Sequence, residues 1–245
     1  MTLNPQPSTL NPPVSLITGA AGGLGRALVA EFARQGWRAV AACHRQPAQP
    51  ETDTVWPLAL DVTDRAQVMA AVARVSQRWG AIQVLVNNAG FTADRPIWQL
   101  SEADWDRVLA VNLKGAFLCS QAVLPAMMQQ RDGHIINVAS FSARQGARGQ
   151  ANYAAAKAGL IGLTQSLAKE VGACNVRVNA VLPGVLPTPM TASLGAKRLA
   201  ELAQLNALGR LNSVAEVARF VVFLASCANV SGQLFQLDSR LAPWA

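Results

Sequence analysis

The sequence predicts an α/β fold of the Rossmann type: a doubly wound, mostly parallel, seven-stranded sheet with helices on both faces, in a single domain. Three observations carry this. Short apolar, β-branched runs alternate with longer segments of helical periodicity from end to end. The first run is followed at once by a glycine-rich turn and then a helical segment, the order a nucleotide-binding unit requires. No linker or shift in composition divides the 245 residues, and 51% are hydrophobic, enough for one large core.

Residues 1–13, rich in Pro, Asn, Gln and Ser, read as a loose tail ahead of the domain at 14–245. Residues 14–18 form a short apolar run, the first buried strand. Gly19-Ala20-Ala21-Gly22-Gly23-Leu24-Gly25 follows. Residues 26–35 then place Leu28, Val29 and Phe32 at helical spacing and stop at Gly36. Glycines let a backbone approach a pyrophosphate closely, and a helix start directs unpaired N–H groups at it. A tight turn without ligand uses the same residues, but here both flanks fit the phosphate reading. Residues 38–42 read as the second strand, ending in Cys43-His44-Arg45. A carboxylate at this point would bind the adenosine ribose 2′-hydroxyl, whereas a cation accommodates a 2′-phosphate. His44 and Arg45 therefore point to NADP(H), with NAD(H) as the alternative.

Residues 55–60 form the third strand, with Asp61 and Val62 at its carboxyl end, where open parallel sheets bind ligands. Asp64 caps a helix that runs to Trp79 and stops at Gly80. Residues 82–86 form the fourth strand, followed by Asn87-Asn88-Ala89-Gly90, small and amide residues suited to close cofactor approach. Ser101 caps a helix over 102–111, and Asn112 precedes a second helical segment at 113–128. Residues 134–139 form the fifth strand, with Ser140 at its carboxyl end and a loop at 141–150 carrying Arg144 and Arg148. A helix spans 151–171, a sixth strand 176–182, ending at Pro183-Gly184. The Pro-, Thr- and Ala-bearing stretch that begins at Val185 is a candidate lid over 184–206. Ser213 caps a helix to Ala225, and 233–237 form the last strand.

Within the 151–171 helix, Tyr153 and Lys157 stand four residues apart and so share a face. A free tyrosine has a pKa of about 10. A nearby ammonium favours the phenolate and is expected to lower that value, making a proton donor and acceptor tuned towards working pH. Such a pair also arises by chance; a hydride carrier beside it would give it meaning. Cys43, Cys119, Cys174 and Cys227 are widely spaced, which predicts neither a disulfide framework nor a zinc site and suits the cytoplasm. With two histidines, a His-based metal site is not expected. No apolar run in the sequence approaches the ~18–20 residues of a membrane span, and the start, whose first basic residue is Arg26, does not read as a signal peptide. The formal charge of +7 suits an anionic partner, but without basic runs or interleaved aromatics nucleic acid is not expected.

Assembled, these residues resemble the short-chain dehydrogenase/reductase family over 14–237. The matching elements are Thr18-Gly19, Gly23 and Gly25, Asp61, Asn87-Asn88-Ala89-Gly90, Asn112, Ser140, Tyr153 with Lys157, and Pro183-Gly184 with Thr188. Within the family, residues 88–94 and 149–162 are most similar to 3-oxoacyl-ACP and acetoacetyl-CoA reductases. The resemblance implies an NADPH-dependent reductase of a 3-keto acyl thioester. It assigns Tyr153 as proton donor, Ser140 as partner of the carbonyl oxygen, Lys157 as the cation beside the tyrosine and the nicotinamide ribose, and Asn112 as anchor of a relay water. It assigns Thr188, with Pro183, Gly184 and Val185 around it, to the nicotinamide end, and Asp61 and Val62 to the adenine. It also implies a homotetramer and an acidic acyl carrier protein met by Arg131; Arg131, Arg144 and Arg148 together are expected to favour an anionic carrier or coenzyme A. Three positions depart from the pattern: Gly22 stands where many NADPH users have arginine, Cys174 stands where a second carrier-binding arginine is expected, and Asp238-Ser239-Arg240 replaces Asp-Gly-Gly. A free alcohol, sugar or cyclic ketone is the competing substrate class. A nucleotide-sensing protein without activity is a third reading, against which the intact set of four catalytic positions speaks.

Overall fold

Parallel strands joined by crossover helices are buried on both faces, which is why these strands read as nearly unbroken apolar runs. The computed structural model describes residues 11–44 and 50–241. Seven strands form one parallel sheet: β1 (Val14–Thr18), β2 (Arg38–Cys43), β3 (Val55–Ala59), β4 (Ile82–Asn87), β5 (Gly133–Val138), β6 (Val176–Leu182) and β7 (Leu234–Gln236). Their order is β3-β2-β1-β4-β5-β6-β7. The helices are α1 (Gly23–Arg34), α2 (Arg65–Trp79), α3 (Glu102–Leu109), α4 (Gly115–Gln130), α5 (Ser142–Gln145), α6 (Ala151–Val171), α7 (Gly195–Gln204) and α8 (Val214–Ser226). Alternation along β1 sends Val14 and Leu16 into the core beneath α2 and α4, and Ile17 into the core beneath α1 and α8. Phe32 of α1 is fully buried there; its truncation to alanine would cost about 3–5 kcal/mol.

The chain moves outward from β1 to β3, then returns to place β4 on the other side of β1. Turns leaving β1 and β4 therefore diverge at one crevice, the ligand-binding switch point of such sheets. Helix starts follow the predicted chemistry. Asp64 accepts from the backbone N–H groups of Ala66 and Gln67, Ser101 from that of Asp104 and Ser213 from that of Glu216.

The structure differs from the sequence expectation in three places. The helices expected over 102–111 and 113–128 form one continuous run, in which Ala110–Lys114 is a π-helical turn around Asn112. The wider turn keeps the helix going while turning the Asn112 side chain inward. This 29-residue run is long and apolar enough, by composition, to cross a membrane, yet half of its most apolar window is buried in the protein. Its apolar character belongs to the core under β4 and β5. The loop expected over 141–150 contains the short helix α5, and the candidate lid holds α7. Of the expected tail, residues 1–10 lie outside the described residues, as does Arg45.

Candidate active site

The carboxyl ends of β1 to β6 open onto a cleft of about 720 Å³. Its first wall is the glycine turn. Gly19 has φ +65°, and a Cβ there would stand 2.7 Å from the Ala89 backbone, so only glycine lets the turns after β1 and β4 touch. Those turns are bolted together. The Thr18 hydroxyl accepts the N–H groups of Asn88 and Ala89, and the Asn88 amide donates to the carbonyls of Thr18 and Gly19. Gly22 precedes α1 with no side-chain cap. The first-turn N–H groups, at Gly23, Leu24 and Gly25, have no intrahelical partners, and these residues line the cleft. Thr188 leans over this turn: a Cβ on Gly23 would lie 2.8 Å from its methyl group.

At the far end of the cleft, the Asp61 carboxylate accepts from the Thr63 N–H and hydroxyl and stands 3.2 Å from His44 Nε2. Burial works against that charge, but the Thr63 hydrogen bonds and then His44 outweigh it and hold the Asp61 pKa below its ordinary value. His44 is thus turned onto a carboxylate at the place where it was expected to meet a phosphate. Val62, Asn88, Ala89, Gly90, Pro183, Gly184 and Thr188 line the same cleft. The glycine cradle, the capless helix start and Asp61 at the far end fit a nicotinamide dinucleotide.

Ser140, Tyr153 and Lys157 share the floor. Tyr153 is held by its neighbour Asn152, a fully buried residue that accepts from the Tyr153 N–H and donates to Ala93 O. The Ser140 oxygen accepts the Ser142 N–H at 3.2 Å, which leaves its own proton to donate into the cleft. Lys157 is 3% exposed; its ammonium donates to Val138 O at 2.8 Å and lies 5.6 Å from the Tyr153 ring centre. Asn112 donates to the carbonyls of Phe91 and Val108, while its buried Oδ1 has no hydrogen-bond partner within the protein. A methyl group added to Gly90 would lie 2.5 Å from that oxygen and 3.5 Å from Lys157 Nζ, so both polar atoms face one small space. An orphaned buried acceptor opposite a lysine is suited to a bound water.

One electrostatic expectation is overturned. The Tyr153 pKa is not lowered: burial pushes it up to about 12, with Asp94 adding to the rise and a hydrogen bond with Ser140 opposing it. Burial also pushes Lys157 down to about 8. Spacing placed the pair correctly, but it said nothing about the dry surroundings, which penalise both charged forms.

The cationic residues do not gather at one place. Arg144 and Arg148 follow β5 at its carboxyl end, where Arg144 approaches Gln236. Arg131 caps α4 just before β5, at the opposite, amino end of the strands, and donates to Ala173 O. Cleft residues missed by the sequence reading include Thr63, Phe91 and Arg107. The Arg107 guanidinium covers the Phe91 ring at 4.8 Å. The readable signal was the stripe Arg107, Ala110, Val111, three cleft residues at helical spacing just ahead of Asn112. Among the described residues, no three His, Cys, Asp or Glu side chains converge as metal ligands would.

Known proteins agree with this geometry. The short chain dehydrogenase family profile matches residues 13–199. A 3-oxoacyl-[acyl-carrier-protein] reductase FabG of Thermotoga maritima is 44% identical over 93% of this chain and 97% of its own. Its namesake from Escherichia coli K12 is 39% identical over 93% and 96%. The crystal structure of levodione reductase superposes with a TM-score of 0.88 at 32% identity, over 94% of this chain and 98% of the other. A Brucella melitensis structure described as ribose-5-phosphate isomerase gives a TM-score of 0.85 at 33%, over 94% and 92%, so the fold by itself does not choose the substrate. The chain belongs to the short chain dehydrogenase family, and it is an NAD(P)-dependent oxidoreductase.

Proposed function

We propose that the protein reduces the 3-keto group of an acyl thioester, carried on acyl carrier protein or coenzyme A, with NADPH as preferred cofactor. The carrying observation is the convergence of Ser140, Tyr153 and Lys157 on one cleft with the glycine turn and Asp61. The substrate class is supported by relatives at 37–44% identity that are named 3-oxoacyl-[acyl-carrier-protein] reductase. NADPH when bound supplies hydride to the carbonyl carbon. Ser140 donates a hydrogen bond to the carbonyl oxygen and stabilises its growing negative charge. Tyr153 transfers its proton to that oxygen. Its raised pKa serves this direction, because the phenol holds its proton until the oxygen becomes the stronger base. Lys157, at about 8, then returns a proton towards Tyr153, with Asn112 Oδ1 holding the water that links it to solvent. The stretch at 184–206 acts as the lid, entering over the glycine turn at Thr188. Arg144 and Arg148 meet the anionic arm of the thioester, while Arg131, at the opposite end of the strands, contacts the body of an acidic carrier. Arg45 takes the 2′-phosphate that His44, paired with Asp61, is less free to take. Function as a homotetramer in the cytoplasm completes the reading.

The decisive experiment is a matched titration of NADPH and NADH with acetoacetyl-CoA, set beside free alcohols, sugars and cyclic ketones. Levodione reductase shares the fold, which makes the free carbonyl the competing class. Higher kcat/KM for the thioester with NADPH supports the proposal; equal turnover of free ketones sinks the carrier reading. Tyr153→Phe should lower turnover by at least the ~10²–10⁴-fold ascribed to general acid catalysis, with cofactor affinity near normal. A variant of normal activity would remove the proton-donor role.

A further inference from the structure

The segment after β7 closes on the active site through a contact made by two side chains. Asp238 is wedged against the turn after β6: a Cβ on Gly184, whose φ is +77°, would stand 2.6 Å from the Asp238 side chain. Asn212 ties the same places together by donating to both Pro183 O and Leu237 O. The Asp238 carboxylate accepts Arg240 Nε at 2.8 Å, and the two side chains are only 2% and 11% exposed. Gln236 braces the pair by donating to Asp238 Oδ1 and to Arg240 O. So held, the Arg240 guanidinium lies 4.1 Å above the Phe141 ring. Phe141 is joined to Ser140 and opens the turn in which Ala143 N donates to Ser140 O and Ser142 N to Ser140 Oγ. Arg240 also forms a backbone bridge with Asn206, while Ser239 accepts from the N–H groups of Ala207 and Leu208, just past α7.

We propose that Arg240 is a positioning residue: stacked on Phe141 and fixed by Asp238, it holds the Ser140 turn in register with Tyr153 and links that turn to the end of the lid. A planar guanidinium suits this place because it can stack and hydrogen-bond at once. Arg240 touches neither Tyr153 nor the cleft floor, so it acts through Ser140. The inference deepens the reductase reading and rests on it for its consequence in turnover, but not for its geometry.

The chain contains one tyrosine, so protein labelled with 13Cζ-tyrosine gives one phenolic resonance, which reports the hydrogen bonding of Tyr153 without substrate. Arg240→Ala would strand a buried carboxylate, so Phe141→Leu and Arg240→Lys are the working variants, each checked for folding by circular dichroism. Ser140→Ala should displace the resonance. Phe141→Leu should move it towards the Ser140→Ala position, with Arg240→Lys in between. In the Ser140→Ala background Phe141→Leu should add nothing, the non-additivity expected of groups acting in series. Turnover of acetoacetyl-CoA should fall about tenfold in Phe141→Leu, a fraction of the ~10²–10³-fold that loss of a whole oxyanion donor costs, with the NADPH Kd within twofold. A wild-type resonance in Phe141→Leu and Arg240→Lys overturns the proposal. So does an equal displacement in the Ser140→Ala background, or no displacement in Ser140→Ala itself. Failure of the thioester assay alone would strike the substrate reading and leave the resonance test standing.

Discussion

Strand β5 has a buried titratable group at each end, and the two have opposite fates. At its amino end His134 is fully enclosed and faces the Asn179 amide at 2.8 Å. Burial, and then the charge of Arg177, push its pKa down to about 3. It is a neutral imidazole, accepting from an amide that also donates to Val230 O. At the carboxyl end Lys157 binds Val138 O and is pushed down to about 8, by burial alone. Both shifts have the same largest cause, the removal of a cation from water. What separates them is access. His134 is fully enclosed and is not among the residues that line the cleft, so its shift is a by-product of packing. Lys157 borders the cleft, and its shift places a proton exchange near neutral pH. A perturbed pKa marks chemistry only where a substrate can reach it.

The largest contrast is expected from removing each group. Lys157→Met should lower turnover by about 10²–10⁴-fold, the usual scale for loss of proton-transfer machinery, while the melting temperature at pH 7 holds or rises. His134→Leu should leave turnover per folded molecule within about twofold and destabilise by about 1–3 kcal/mol through the lost hydrogen bond. Steady-state rates with calorimetry on both variants check this. An active Lys157→Met, or a His134→Leu that folds normally yet is inactive, breaks the comparison.

The two groups also leave separate marks on stability against pH. The folded-state pKa of His134 lies below the ordinary 6.5. The unfolded chain therefore takes up the proton first on acidification. Stability is full above about 6.5 and is lost as pH falls towards about 3, by roughly 3–5 kcal/mol at the limit. Lys157 has the same sign in another window, with stability rising as pH climbs from about 8 to 10.5. Denaturant melts across pH should show His134→Leu flattening the acid limb and Lys157→Met flattening the alkaline rise. Variants with unchanged limbs would mean that these groups titrate in the fold as they do in water.

The fold was legible because apolar periodicity and glycine punctuation act locally. The helix at Ala151–Val171 and the strand at Val176–Leu182 match their sequence bounds to the residue. Several residues that line the cleft, such as Gly19, Asp61, Asn88, Ser140 and Pro183, were legible as residue types at strand ends. What the sequence hid was environmental. Nothing in the spacing of Tyr153 and Lys157 announces that burial raises the tyrosine pKa, because burial is set by how the whole fold packs around the helix. Asn112 read as lying between two helices, whereas it sits in a π-helical turn of one continuous run, with its amide donating to the carbonyls of Phe91 and Val108. The pairing of His44 with Asp61 joins the ends of two strands and has no signature along the chain.

Access can also be altered where no titratable group is involved, at the lid. Gly23 is a place where the glycine turn meets the proposed lid, since an added Cβ would meet the Thr188 methyl at 2.8 Å. That contact is too short to keep, so Thr188 has to give way. Gly23→Ala should therefore leave the core and melting temperature nearly unchanged while weakening NADPH, because displaced Thr188 no longer covers the cleft. A Kd increase of about three- to tenfold corresponds to about 0.6–1.4 kcal/mol, less than one good hydrogen bond to a charged group. Fluorescence titration of the cofactor, with Thr188→Ala and the double variant alongside, separates a steric effect from a lost contact. If the steric view holds, Thr188→Ala relieves the strain of Gly23→Ala, and the double variant binds NADPH no more weakly than Thr188→Ala alone. Additive losses would show that Gly23 acts on the phosphates directly and that the lid does not govern this end of the cleft.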